Sequence, residues 1–181
     1  LKIDGIRGDA TLSTVSGNLD GEVHGELEAS TVSGSLRVTA REARHIEVKS
    51  ISGDVHVSGG GGEVEVTTVS GNADAELGAV TRGRFKTVSG NVVAGLALSP
   101  TAVLDGESVS GDVSFNFPAK PDADFDVQSF SGEIHNCFGP KPVTAEYGPG
   151  SRLAFTEGTG QARVHVDTKS GEVRLCVKGR S

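Results

Sequence analysis

Aligned on a recurring Ser-Gly pair, the chain alternates apolar and polar positions with a period of two on both sides of the pair. Two positions after the glycine stand Leu19, Leu36, Val55, Ala73, Val92, Val113, Ile134 and Val173; the next position holds Asp20, Arg37, His56, Asp74, Val93, Ser114, His135 and Arg174. The first series reads as inward and the second as mostly facing water. Upstream, the positions seven and five before the glycine carry inward pairs, among them Leu27 and Ala29, Ile46 and Val48, Val64 and Val66, and Val164 and Val166. Two before the glycine comes another apolar residue, Val15, Val32, Ile51, Val69, Val88, Val109 or Phe130, with the opposite parity. The alternation therefore slips at the intervening Thr or Ser, which predicts a corner that turns both segments toward one interior. IRG at Ile6 and VHG at Val23 add a third short segment, giving three short strands per turn, and the absence of a helical period leaves no room for helix.

The pattern is a repeat. Its glycines are Gly17, Gly34, Gly53, Gly71, Gly90, Gly111, Gly132 and Gly171, with spacings of 17, 19, 18, 19, 21, 21 and 39 residues. One such coil cannot bury its own apolar face, so successive coils must stack as parallel strands about 4.8 Å apart. The expected fold is all-β: one parallel β-solenoid domain over residues 1–181, with coils of 17–21 residues. The motif, written in full as TVSGN at Thr14, Thr68 and Thr87, is then the corner of each rung. Two reasons fit its glycine, a narrow inward position that a side chain would crowd, or a positive φ. The serine beside it faces outward and could form a hydrogen-bonded ladder.

Regular coils are expected over residues 1–136, with coils five and six lengthened by outward turns at Pro100, Pro118 and Pro121. An excursion over 138–157, rich in turn residues (Pro140, Pro142, Tyr147-Gly148-Pro149-Gly150), precedes a closing coil at 158–178. A solenoid end exposes a raw sheet edge, so the excursion is expected to cover the C-terminal end as a cap. Cys137 and Cys176 each lie five residues after a motif glycine and so share a register position. In neighbouring coils their Cα atoms would be about 5 Å apart, within disulfide range, whereas an intervening coil would put them about 10 Å apart. Neighbours are favoured, which predicts a Cys137–Cys176 disulfide and an oxidising, extracytoplasmic compartment; the alternative is two unpaired thiols.

Composition narrows the function classes. A net charge of −7, with 17 basic residues against 24 acidic ones and no basic run, argues against a nucleic-acid partner. No apolar stretch approaches bilayer-spanning length. The start at Leu1 without Met suggests a processed or trimmed fragment.

The repeated apolar-Ser-Gly-Asn/Asp-apolar pattern, with the closing GTGQARVHVDTKSGEVRL, resembles the bacterial DUF4097-type adhesin-like family of β-strand-repeat (β-helix) proteins over nearly the whole chain. That resemblance implies a right-handed β-helix of the cell envelope and supplies no catalytic residue to carry over.

Candidate chemistry lies in the outward columns. Glu28, Glu47 and Glu65, six before the glycine, form an acidic ladder that a cation or basic partner would relieve, or that splays into water. Asp54, Asp112, Glu133 and Glu172 mix with Asn18, Asn72 and Asn91 in a second column. Asp122, Asp124 and Asp126 faintly mimic a calcium loop, but Val127 stands where that loop needs glycine. His56 and His135 share a register position about four coils apart, and the Gly59–Gly62 run reads as a turn without the lysine of a phosphate loop. No cofactor or metal is expected. The expectation is a non-catalytic extracytoplasmic structural or interaction module that meets envelope polysaccharide or protein and can self-associate. The alternatives are a β-helix enzyme acting on acidic polysaccharide, with converging carboxylates at coils five to seven, and a filament-forming scaffold.

Overall fold

The computed structural model describes residues 2–144 and 150–178. Among these residues there are seventeen strands in one sheet and no helix. In chain order they are β1 (Lys2–Arg7), β2 (Ala10–Ser16), β3 (Leu19–His24), β4 (Leu27–Ser33), β5 (Leu36–Ala40), β6 (His45–Ser52), β7 (Val55–Ser58), β8 (Gly62–Ser70), β9 (Ala73–Ser89), β10 (Val92–Ser110), β11 (Val113–Phe117), β12 (Ala123–Ser129), β13 (Ile134–Asn136), β14 (Val143–Thr144), β15 (Ser151–Glu157), β16 (Ala162–Ser170) and β17 (Val173–Val177).

Through β11 the strands stack in parallel, each above its own copy one repeat earlier, as a β-solenoid. Leu27 lies on Ile46, Ile46 on Val64, and Leu36 on Val55 on Ala73. Both inward series are buried, so the wall strands close a single apolar interior. Strand formation follows from composition: β-branched residues at inward positions suit a pleated surface packed on one side. Val23 belongs to the same strand as Leu19, so the early coils have two strands per turn, not three. In coils four and five the two segments merge into the long β9 and β10, and the difference in their lengths is absorbed as register shifts between Gly95 and Ala97 and between Leu98 and Val103, while coil six keeps β11 and β12 apart. Gly59 to Gly62 form the turn of coil three, with positive φ at Gly59, Gly60 and Gly62.

The alternation does not slip at the Thr or Ser of the motif. Thr31, Ser50, Thr68, Thr87, Ser108, Ser129 and Thr168 are buried, and the apolar residue that follows each of the first six points outward. The parity break comes two residues later, at the Ser-Gly step, where the chain rounds the corner. Three of these hydroxyls reach the corner: Ser50, Thr87 and Ser108 donate to the carbonyls of Gly53, Gly90 and Gly111, at 3.4, 3.3 and 2.8 Å, whereas those of Thr31, Thr68, Ser129 and Thr168 have no protein partner.

The last layers are out of sequence order. The coil of Gly111 is followed in space by that of Gly171, and the coil of Gly132 comes last: β16 lies between β10 and β12, and β17 between β11 and β13. The chain thus leaves a gap one layer wide, builds the final layer and returns to fill the gap. The excursion supplies the cover. β15 pairs antiparallel with the open edge of β12 over seven residue pairs, and β14 adds to β15. Phe155 stacks on Phe125 at 4.7 Å, with Phe117 and Phe138 edge-on around them, so an aromatic plug closes this end of the core. Tyr147, Gly148 and Pro149 lie outside the described residues.

Candidate functional site

The corner column needs glycine for positive φ and for crowding, but the crowding comes from the neighbouring layer along the stack and not from a narrow interior. Seven of the eight motif glycines have φ between +102° and +158°, which L side chains rarely adopt. From Gly34 upward, a Cβ would also collide with the carbonyl of the motif glycine one layer below: Gly34 with Gly17, Gly71 with Gly53, Gly171 with Gly111 and Gly132 with Gly171. Gly132 lacks the positive φ and is held to glycine by that collision alone.

The ladder beside the corner is made by the residue after the glycine, not by the motif serine. The side-chain oxygens of Asn18, Asp54, Asn72, Asn91 and Asp112 accept the backbone N–H of Ser35, Asn72, Asn91, Asp112 and Glu172, at 2.8 to 3.4 Å. Asn and Asp alike offer an oxygen to the next layer, and Asn72 and Asn91 separate the charges of Asp54 and Asp112. The repeated Asn/Asp after Ser-Gly was the signal for this ladder.

Glu28, Glu47 and Glu65 are direct vertical neighbours, as their register places them. Relief comes from within the sheet. Lys49, two residues on from Glu47, pairs with its carboxylate. The Lys49 hydrogen bond holds Glu47 below the usual glutamate range, and the same bond, reinforced by Glu65 and Glu28, holds Lys49 above the usual lysine range. Asp122, Asp124 and Asp126 are each engaged separately along the cap. Asp124 accepts from the Thr156 hydroxyl at 2.9 Å and Asp126 pairs with Arg152 at 3.2 Å. Asp122 accepts the backbone N–H groups of Thr159 and Gly160, both at 2.7 Å, and the Thr159 hydroxyl at 2.8 Å. His56 contacts Asp74, while His135 lies between Glu133 and Glu172, five layers away rather than four because the closing coil intervenes. Among the described residues no group of three or more His, Cys, Asp or Glu side chains converges.

Cys137 and Cys176 form a disulfide, with Cα atoms 4.9 Å apart. The vertical alignment arises because β13 and β17 are adjacent, the result of inserting the closing coil next to the final one. The bridge clasps the inserted layer to the terminal one, beside the aromatic plug.

The feature that sequence reasoning missed is the outer face. Because the motif residues Val15, Val32, Ile51, Val69, Val88, Val109 and Phe130 point outward, they form one exposed column along the stack, from 43% exposed at Val32 and Val69 to 63% at Phe130 and 73% at Val15. Lys169 takes the equivalent position in the closing coil, between Val109 and Phe130. Shallow clefts run along this column over its far half, one bounded by Val69, Val88 and Val109, the next by Phe130 and Arg152, with Asp167 and Lys169 common to both. The signal was the unbroken apolar letter after Thr or Ser, read as core because hydrophobicity was given more weight than parity.

No curated protein and no solved structure matches the chain. The profile of one family, described as Toastrack DUF4097, matches residues 2–176, nearly the whole stack from β1 to the clasping cysteine of β17. The chain belongs to the Toastrack DUF4097 family.

Proposed function

We propose that this chain is a non-catalytic structural and interaction module of the bacterial cell envelope, adhesin-like and working outside the cytoplasm. The observation that carries the reading is the division between inside and outside. Inward positions and corners are committed to stacking, while one wall displays seven exposed apolar side chains in a column interrupted once, by Lys169. Contiguous exposed apolar surface of this kind marks contact sites. The Cys137–Cys176 bridge supports the compartment, since such bonds persist where thiols are not kept reduced. Envelope protein or polysaccharide is the partner class.

Thiol trapping in cells combined with fractionation tests this. The expected result is a chain recovered with the envelope fraction and with both cysteines blocked by their mutual bond. Recovery in the cytosol with two alkylatable thiols would overturn the reading.

A further inference from the structure

The exposed column has charged flanks whose order along the stack is informative. Number the eight layers of this wall β2, β4, β6, β8, β9, β10, β16 and β12, in spatial order. Six positions before the glycine the side chains run Thr11, Glu28, Glu47, Glu65, Arg84, Asp105, His165 and Asp126. Four before it they run Ser13, Ser30, Lys49, Thr67, Lys86, Glu107, Asp167 and Gln128. Acid dominates the first half of one column, and base precedes acid in the other.

We propose that this wall docks on the same wall of a second copy, about a two-fold axis that runs parallel to the strands between the fourth and fifth layers. This deepens the reading of the wall as a contact surface by naming its occupant. The axis keeps each column opposite itself and reverses the layer order, so all eight layers overlap. Val69 then faces Val88 of the second copy, Ile51 faces Val109, and the two most exposed members, Val15 and Phe130, face each other at the ends. Glu65 meets Arg84, Lys49 meets Glu107 and Glu28 meets His165, each twice by symmetry. Two pairings are unfavourable: Val32 faces Lys169, and Glu47 faces Asp105, which Lys49 beside Glu47 offsets. Moving the axis one layer along uncovers Val15 in one direction and Phe130 in the other. An axis along the stack would set each layer against itself and lose the reversed pairing of acid with base. The area is sufficient: eight layers at about 4.8 Å and six residues at about 3.3 Å give roughly 750 Å² per copy, so about 1,500 Å² in all, within the range of stable interfaces.

Sedimentation velocity over a concentration series reaching the high micromolar range tests the proposal. The purified chain is expected to dimerise, and Val88→Glu, at an exposed position that leaves the core intact, to be monomeric with unchanged circular dichroism. Lys49→Glu and Glu107→Lys are each expected to weaken dimerisation at least tenfold. The double variant, and an equimolar mixture of the two single variants, should restore it, because residues 49 and 107 lie three layers apart within a chain and meet only across the two-fold. A wild-type monomer throughout would overturn the proposal. So would open-ended growth, a dimer insensitive to Val88→Glu, or a double variant no better than the singles. These outcomes are separate from the cellular test above, since an envelope protein can be monomeric and a dimer can form in any compartment.

Discussion

Gly17 and Gly71 occupy the same motif position and have similar backbones, with φ of +102° and +129°, yet their surroundings differ. Gly17 belongs to the first layer of its wall, and a Cβ there meets nothing within 4 Å. Gly71 sits above Gly53, whose carbonyl occupies the space a Cβ would need. Backbone strain alone should therefore cost Gly17→Ala about 1–3 kcal/mol. Gly71→Ala carries the same strain plus an overlap with main chain that only layer separation can relieve, which adds about 1–3 kcal/mol more. Urea denaturation of the two variants checks this; equal losses would show that stacking does not set the glycine requirement. The buried hydroxyls follow a related logic. Ser108 satisfies the Gly111 carbonyl, whereas the Thr68 and Thr168 hydroxyls have no protein partner, so the inward Thr column does not bond uniformly. Its constant property is size: a small β-substituted residue just before the corner.

Among the elements, the turn from β15 to β16 decides whether the excursion can return the chain into the gap. Gly158 and Gly160 supply positive φ, of +72° and +70°, and Asp122 gathers the N–H groups between them. The Thr159 hydroxyl, followed by the backbone donors of Gln161, Thr159 and Gly160, holds the Asp122 carboxyl below its ordinary value of 3.8. A depressed acid contributes stability that is complete above its unfolded value and is lost as pH falls through the folded one. Thermal melts should accordingly show Asp122→Asn less stable than the parent at neutral pH, with the gap closing as pH drops below about 4. A gap independent of pH would mean that Asp122 acts by shape and not by charge. How legible such features were depended on the element. Stacking register was readable because inward residues repeat at nearly constant spacing and a one-residue error would turn the whole set outward. The exposed Val column was misread because a polar Thr lay inside and an apolar Val outside, reversing what hydrophobicity alone implies. Layer order was hidden because β12 and β16 carry the same pattern, Phe125 and Val127 matching Val164 and Val166, so either could follow β10. Only the shared register of Cys137 and Cys176 required these two coils to touch.

For the whole molecule, the out-of-order insertion divides the stack into two parts with different dependence on distant sequence. From β2 to β10 every layer contacts one that lies close in the chain, as Val48 contacts Val66, and can be added in turn. The closing layer instead joins Gly106 to Val166, far apart in the chain, and holds the terminal layer against the rest of the stack. Contacts at such separation carry a larger closure entropy, which makes the far end the expected site of sub-global opening. The disulfide acts on this weakness by closing a 39-residue separation across the inserted layer. Loop-closure entropy assigns such a bridge about 4 kcal/mol. Reduction, or Cys137→Ala with Cys176→Ala, should therefore lower stability by that order and do so unevenly. Hydrogen exchange is expected to show β12, β13, β16 and β17 opening together in the reduced protein while β4, β6 and β8 keep their protection, with the difference much smaller in the oxidised protein. Uniform loss of protection from β2 to β17 on reduction would mean that the stack unfolds as one unit and that the clasp stabilises it globally, with no special role for the inserted layer.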